Sequence, residues 1–208
     1  MQYLPATATN DGVFFSVKTP AAIPARRALV RDALVQTSLD PAVRSIEFIP
    51  TARVATTPVD LEAIVIHRND GRFYLDVVAA RPLRDLDNEG LALIALEALG
   101  LGPLMRTTAD IQREPRLSNS RVVWSHRLHP VGTSLRTRIL KVLGADGPMA
   151  LSRLRAAIGS EQDPTPAVMA LACFGLIELD LVSVPIGPQT KLRAHEPRFQ
   201  PSLVKSGG

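Results

Sequence analysis

The apolar positions between residues 25 and 100 change from helical to strand-like spacing and back again. The segment ARRALVRDALVQTSL has apolar residues at helical spacing and ends before Asp40-Pro41, which predicts an amphipathic helix. Three β-type runs follow, RSIEFIP, DLEAIVIHR and RFYLDVVAA, and Asn69-Asp70-Gly71 between the last two predicts a β-hairpin. LDNEGLALIALEALG then predicts a second helix. This order is typical of an α/β sandwich around a mixed sheet.

Two segments of this part have weaker patterns. Residues 1–24 are rich in Thr, Ala and Pro around VFFSVK, which predicts an arm or an edge strand. MRTTADIQREPRLSN predicts a polar connection, in which Thr108 is a candidate helix start.

The pattern changes after His129-Pro130-Val131-Gly132, which we take as a domain boundary. SLRTRILKVLG, GPMALSRLRAAIG and DPTPAVMALACFG predict three helices, and IELDLVSV and TKLRAH predict two short strands after them. Three helices followed by a β-hairpin is the winged helix-turn-helix arrangement. The sequence therefore predicts two domains, residues 1–132 and residues 133–208.

Composition narrows the class of protein. Of the 208 residues, 46% are hydrophobic, which is enough for a sizeable core. No apolar run approaches about 18 residues, which is the length of a transmembrane helix. MQYLPATATNDG has neither the basic n-region nor the apolar h-region of a signal peptide. We therefore expect no membrane contact and a cytoplasmic, bacterial-type protein. The single cysteine, Cys173, excludes an internal disulfide and a cysteine zinc site, and its apolar surroundings predict burial.

The formal net charge is +4, with 15 basic against 14 acidic residues up to residue 132 and 9 against 6 beyond it. A mild basic excess permits a nucleic-acid partner without requiring one. An ordinary basic globular protein remains the alternative on charge alone.

Asp60 and Asp76 lie sixteen residues apart, each at the edge of an apolar run. Carboxylates on adjacent strands can hold Mg²⁺, which activates water and stabilises the charge that develops on a phosphate during phosphodiester cleavage. The alternative is that both are solvated residues at strand ends, which are common. Glu47 on the preceding strand is a weaker surrogate carboxylate, and His67 at the hairpin tip is expected to be exposed.

The segments VRDALVQTSLDPAVRSIEFIP, PVDLEAIVIHRNDGRFYLDVVAARPLRD and LMRTTADIQREPRLSN together resemble the N-terminal domain of TnsA-type transposon endonucleases, over about residues 28–122. The resemblance implies a restriction-endonuclease-like fold, a mixed sheet flanked by helices. In that family the helix typically has Glu-Arg-Asp, the hairpin has Pro-Asp-Phe and Glu-Val-Lys, and a later segment has Thr-x-x-x-Ile and an Asn.

The match makes Asp60 and Asp76 the metal-binding and catalytic carboxylates, but two expected catalytic groups are apolar. Val30 stands at the position of the helix glutamate and Val78 at that of the lysine. Arg81 is a poor substitute for that lysine, because a guanidinium is longer and is not deprotonated. Losing one group that acts in the transition state commonly costs orders of magnitude in rate. The resemblance therefore implies an inactive scaffold without a cofactor; the alternative is a working Mg²⁺ site.

The predicted third helix of the winged domain, TPAVMALACFG, has no basic or amide side chain for reading bases. Near its start, only Gln162 and Thr165 are within reach of a base. The basic residues lie instead on the second helix and on the predicted wing, where they would bind phosphates without reading sequence: Arg153, Arg155, Lys191 and Arg193. The alternative is a protein-contact or dimerisation module whose third helix is packed away.

Two functions follow as hypotheses. The first is a DNA-associated accessory or regulatory protein that has a transposase-like or ATPase partner protein. The second is a Mg²⁺-dependent TnsA-like endonuclease that acts in transposition or in mobile-element processing. The sequence fixes neither the DNA target, the partner nor the oligomeric state.

Overall fold

The computed structural model describes residues 12–159 and 163–195. The first part of the chain contains a small antiparallel pair of strands, a larger sheet and four helices. The elements are β1 (Val13–Phe14), β2 (Ile23–Pro24), α1 (Ala28–Ser38), β3 (Val43–Val54), β4 (Thr57–Arg68), β5 (Gly71–Val77), a 3₁₀ turn (Val78–Ala80), α2 (Leu86–Ala98), β6 (Gly102–Arg106), α3 (Thr108–Ile111) and α4 (Arg116–Ser125).

The larger sheet has the strand order β3-β4-β5-β6. The first three strands form an antiparallel meander, and β6 returns parallel to β5 after the crossover through α2. One face packs against α1 through Leu34, Ile46 and Ile66, and the other packs against α2 through Val65 and Ala95. A mixed sheet flanked by helices confirms the predicted α/β class.

The Asn69-Asp70 hairpin is confirmed, since these two residues join Arg68 to its paired residue Gly71. The hairpin before it was not predicted, because TARVATTPV has too few large apolar residues to indicate strands. In the structure β3 and β4 both extend through this segment to a tight turn at Ala55. Two residues of β4, Leu61-Glu62, lie between the pairs Ile49–Ala63 and Thr51–Asp60, which forms a β-bulge. Glu62 has the positive φ of 47° that such a bulge can impose.

Two predictions for the region after β5 are wrong. The third β-type run was expected to continue to Ala80, but β5 ends at Val77. The predicted polar connection, residues 105–119, instead contains the end of β6, all of α3 and the start of α4. The helix start at Thr108 is confirmed, and Thr107 caps that helix by accepting a hydrogen bond from the Asp110 N–H at 3.1 Å.

The second part of the chain contains the three predicted helices and a small sheet. Its elements are α5 (Thr133–Asp146), β7 (Met149–Ala150), α6 (Leu151–Ile158), α7 (Thr165–Cys173), β8 (Ile177–Leu179) and β9 (Lys191–Ala194). The sheet is antiparallel, with the order β7-β9-β8. The strand predicted for IELDLVSV is shorter than expected, because Asp180 turns the chain by accepting hydrogen bonds from the backbone of Val182 and Ser183.

Helix α7 is the centre of the second apolar cluster, and all its residues from Ala167 to Cys173 are buried. Part of its cover is α4 of the first part of the chain, where the Cys173 thiol donates to the Val123 carbonyl at 3.4 Å. The ring of Trp124 on α4 also stacks on Phe14, with 5.2 Å between ring centroids. The two parts of the chain therefore share a packed junction.

Among residues 12–159 and 163–195, none of the helices has both the length and the apolar character needed to cross a membrane.

Candidate functional site

Asp60 and Asp76 lie at the same end of the larger sheet, because β4 begins where its antiparallel neighbour β5 ends. The pairing of β4 with β5 runs from Arg68–Gly71 to Val65–Tyr74. Among the described strands, β5 pairs only with β6 beyond Tyr74, and Asp76 lies opposite Met105 in that pair. The aspartates therefore stand where β4 and β5 no longer pair.

The Asp76 carboxylate is held by an arginine. Its side chain is 8% exposed, and Arg81 donates to both oxygens, from Nε to Oδ1 at 2.8 Å and from Nη2 to Oδ2 at 2.5 Å. The 3₁₀ turn at Val78–Ala80 reverses the chain, which lets Arg81 reach a residue five positions earlier. This hydrogen bonding and the charge of Asp76 raise the pKa of Arg81, while burial and then the Asp76 charge raise the pKa of Tyr74.

A second arginine binds the backbone beside Asp60. The β-bulge leaves carbonyl groups of β4 outside the regular ladder, and Arg84 Nη2 donates to Leu61 O at 2.7 Å and to Asp60 O at 3.2 Å. Glu89 on α2 accepts from Arg84 Nη1 at 3.3 Å and fixes its position. The Asp60 side chain itself is exposed. A surface depression of about 700 Å³ runs along residues 81–89 beside these contacts.

Val78 and Val30, the apolar residues at the two expected catalytic positions, lie in a turn and against an apolar cluster. Val78 was expected on the same strand as Asp76, which is wrong, since Val78 begins the 3₁₀ turn. Val30 packs against the cluster between α1 and the sheet. Within the described ranges, no three His, Cys, Asp or Glu side chains come together as a metal site.

With both oxygens of Asp76 on a guanidinium, this donor set does not fit a divalent cation, which needs free carboxylate oxygens. That Asp60 and Asp76 share one Mg²⁺ stays a prediction.

Glu47 and His67 pair with each other away from this edge. Glu47 Oε1 lies 2.8 Å from His67 Nε2 and 3.7 Å from Arg72 Nη2, at the end of the sheet near the Asn69-Asp70 turn. His67 is half-buried rather than exposed, because its ring lies against the neighbouring strand. Glu47 is thereby engaged in a cross-strand contact and does not approach Asp76 as a surrogate ligand.

The predicted phosphate-binding residues lie on α6 and β9 of the second part of the chain. Lys191 is paired with Ala150, directly before α6, and Arg153 follows in the first turn of that helix. Both side chains are exposed and have no ion pair within the described residues. Arg155 pairs with Asp163 at 3.2 Å, and Arg193 donates from Nε to Glu178 at 2.5 Å.

The residues expected to approach a base are placed differently. Thr165 Oγ1 donates to Asp163 at 2.7 Å, and this hydrogen bond lowers the pKa of Asp163. Gln162 lies outside the described residues. The helix that follows them, α7, is buried from Ala167 to Cys173. A third helix that is packed away was expected for the alternative, a protein-contact or dimerisation module.

Two structural roles were missed by sequence reasoning. Arg81 and Arg84, the arginines of RPLR after β5, bind the Asp76 carboxylate and the backbone of β4 at the edge of the sheet. In the sequence, only their position shortly after Asp76 indicated these contacts. Asn119, the asparagine of the last family-like segment, is 2% exposed and binds the backbone of residues 181–186. Its Nδ2 donates to Leu181 O at 3.0 Å and Val184 O at 2.8 Å, and its Oδ1 accepts from Ile186 N at 2.9 Å.

Comparison of the chain with protein-family models gave no match, and neither did a search of curated proteins.

Proposed function

We propose that this chain is a DNA-associated accessory protein with a nuclease-like scaffold that does not cut DNA and a winged helix that holds phosphates. The order of α1, the β3-β4-β5 meander, α2 and the parallel strand β6 supports a restriction-endonuclease-like scaffold. The order α5-β7-α6-α7-β8-β9, with β9 between the other two strands, supports a winged helix.

The observation that carries the non-catalytic half is the Arg81–Asp76 pair. Magnesium binds through carboxylate oxygens, and both oxygens of the most buried candidate ligand are already bonded to Arg81. A guanidinium stays protonated, so its charge also repels a cation at this position. Because no charged group stands at Val30 or Val78, the site lacks the groups that would stabilise a cleavage transition state.

The DNA-binding half rests on the surface formed by α6 and the start of β9. Arg153 and Lys191 have exposed charges, and the exposed ion pair of Arg155 with Asp163 is of a kind that contributes little stability. Arg153 and Lys191 are therefore free to bind phosphate, and Arg155 can exchange its carboxylate for one. Since α7 is buried, it presents no face to base edges, and binding depends on the DNA backbone.

A transposase-like or ATPase protein is the partner that the family resemblance implies. The scaffold would then position DNA for a separate catalytic subunit, and magnesium would not be required by this chain.

The test is duplex binding measured by fluorescence anisotropy over a salt series, with two duplexes of unrelated sequence. We expect similar affinities for both and a steep salt dependence, because each neutralised phosphate releases counterions. The double variant Arg153→Ala/Lys191→Ala should bind both duplexes about tenfold more weakly and reduce the salt slope by about two.

The matched control is Arg53→Ala/Arg113→Ala, which removes two exposed arginines from the first part of the chain. Equal losses in the two double variants would contradict the proposed surface. So would salt-insensitive binding to one duplex only, or no duplex binding at low salt.

A further inference from the structure

A cleft of about 1020 Å³ opens at the junction of the two parts of the chain. We call it the junction cleft. Its walls come from the segment after β1, the start of β3, the end of α7 and the strands β8 and β9. The lining side chains with chemical or aromatic character are Lys18, Arg44, Phe174, Glu178, Arg193 and His195.

Lys18 reaches across the junction. Its Nζ donates to the Asp40 carbonyl at 2.7 Å, and its Cε lies 3.9 Å from where a Cβ on Gly175 would be. Gly175 has φ +69°, a conformation that glycine adopts without strain. Burial lowers the pKa of Lys18 to about 8, against the opposing charges of Asp40 and Glu178. At neutral pH the group is still mainly an ammonium ion.

The other cations of the cleft are fixed in position. Arg44 donates from Nε to Asn69 Oδ1 at 2.6 Å, which holds it at the start of β3. Glu178 accepts from Arg193 and lies 2.8 Å from His195 Nδ1, so one carboxylate orients two basic groups. The guanidinium groups keep further N–H donors beyond these contacts, because each carries five.

Phe174 gives the cleft an aromatic wall. It follows α7, whose last seven residues are all buried, yet its own side chain remains 46% exposed. An exposed aromatic face with nearby ammonium and guanidinium groups is the combination that holds nucleotides, by base stacking and by phosphate contacts.

We propose that the junction cleft binds an unpaired nucleotide, with the base against Phe174 and the phosphate between Lys18, Arg44 and Arg193. That this nucleotide belongs to a DNA strand, and is not a free mononucleotide, rests on the proposed function. The cleft volume lies at the upper end of the range for small-molecule sites, which leaves room for a strand to continue beyond one nucleotide.

The experiment measures anisotropy of a labelled oligothymidylate with the full chain at pH 7. We expect single-strand binding that falls about tenfold in Phe174→Ala, because that variant loses the stack, and that is retained in Phe174→Trp. Lys18→Met should weaken binding about fivefold, since one phosphate contact is lost. Phe15→Ala is the control, since Phe15 is also exposed but does not line the cleft.

Two further arms separate the alternatives. If thymidine monophosphate displaces the labelled strand at micromolar concentration, the ligand of the cleft is the free nucleotide. If it does not displace the strand at millimolar concentration, the result supports a DNA strand as the ligand. The variant Arg153→Ala/Lys191→Ala should keep single-strand binding while its duplex binding weakens about tenfold.

Single-strand binding that is lost in Phe174→Ala supports the cleft even if no duplex is bound, in which case only the proposed duplex surface fails. Unchanged single-strand affinity in Phe174→Ala overturns the proposal. So does the absence of binding to both the strand and the mononucleotide, whatever the duplex does.

Discussion

At the scale of single residues, the chemistry of the sheet edge depends on which groups surround Asp76. The valine at position 78, where the resemblance expects a lysine, is known from the sequence alone. It did not predict that Arg81 would bind the carboxylate. That contact requires the 3₁₀ turn at Val78–Ala80, and VVAA is equally compatible with a continuing strand.

Replacing Arg81 by methionine should lower stability at neutral pH, because the buried Asp76 carboxylate would lose its counter-charge. Adding Asp76→Asn should recover part of the loss, since an amide carries no charge to be paired. The measurement is the midpoint of urea unfolding, with Arg113→Met as the control for an exposed arginine without an ion pair in the described chain. Equal shifts in Arg81→Met and Arg113→Met would show that the pair contributes nothing.

Lys18 should make stability rise with pH above 8. Its folded pKa of about 8 lies below the ordinary 10.5, so between these values the unfolded chain binds more protons than the folded one. From pH 8 to 9.5 we expect the free energy of unfolding of the natural chain, relative to Lys18→Met, to rise by about 1.5 kcal/mol. Burial raises the pKa of the Cys173 thiol to about 12, so this group makes stability fall as the pH rises. Because both chains contain Cys173, its contribution cancels in the difference between them. If this difference in the free energy of unfolding did not change with pH, the Lys18 side chain would be solvated rather than buried.

At the scale of elements, the sequence predicted those whose pattern is local. The helices α1, α2, α5 and α6 each have apolar residues at helical spacing, and the Asn69-Asp70 turn has its own residue signal. The helix α4 was missed because its buried residues are Asn119, Ser120 and Val123, two of which are polar. Polar residues become suitable for burial only when a partner backbone from elsewhere in the chain satisfies them.

Asn119→Ala should test this element directly. The substitution leaves two carbonyls and one N–H of residues 181–186 without their partner, so we expect a loss of about 3 kcal/mol in the free energy of unfolding. Asn119→Asp should be no better, because a carboxylate cannot donate to the two carbonyls. The control is Ser118→Ala on the exposed side of α4. A change in Asn119→Ala no larger than that in the control would contradict a joining role for α4.

At the scale of the whole molecule, the two parts of the chain are joined through α4 and α7, and this arrangement decides which surfaces stay exposed for the proposed DNA binding. Burial of α7 removes the helix that the predicted winged helix would present to bases, and it leaves the α6 and β9 cations and the junction cleft exposed. The sequence predicted the absence of base-reading side chains on that helix. It could not predict the cleft, because Lys18 and Gly175 are far apart in the sequence and no local pattern relates them.

The most direct test of the central claim is incubation of the purified chain with supercoiled plasmid in Mg²⁺ and in Mn²⁺, followed on one gel for both retardation and topology. We predict a retarded plasmid that remains supercoiled, because Arg81 holds the Asp76 carboxylate and no lysine stands at position 78. Nicking or linearisation that disappears in both Asp60→Ala and Asp76→Ala would contradict the account and establish the endonuclease instead.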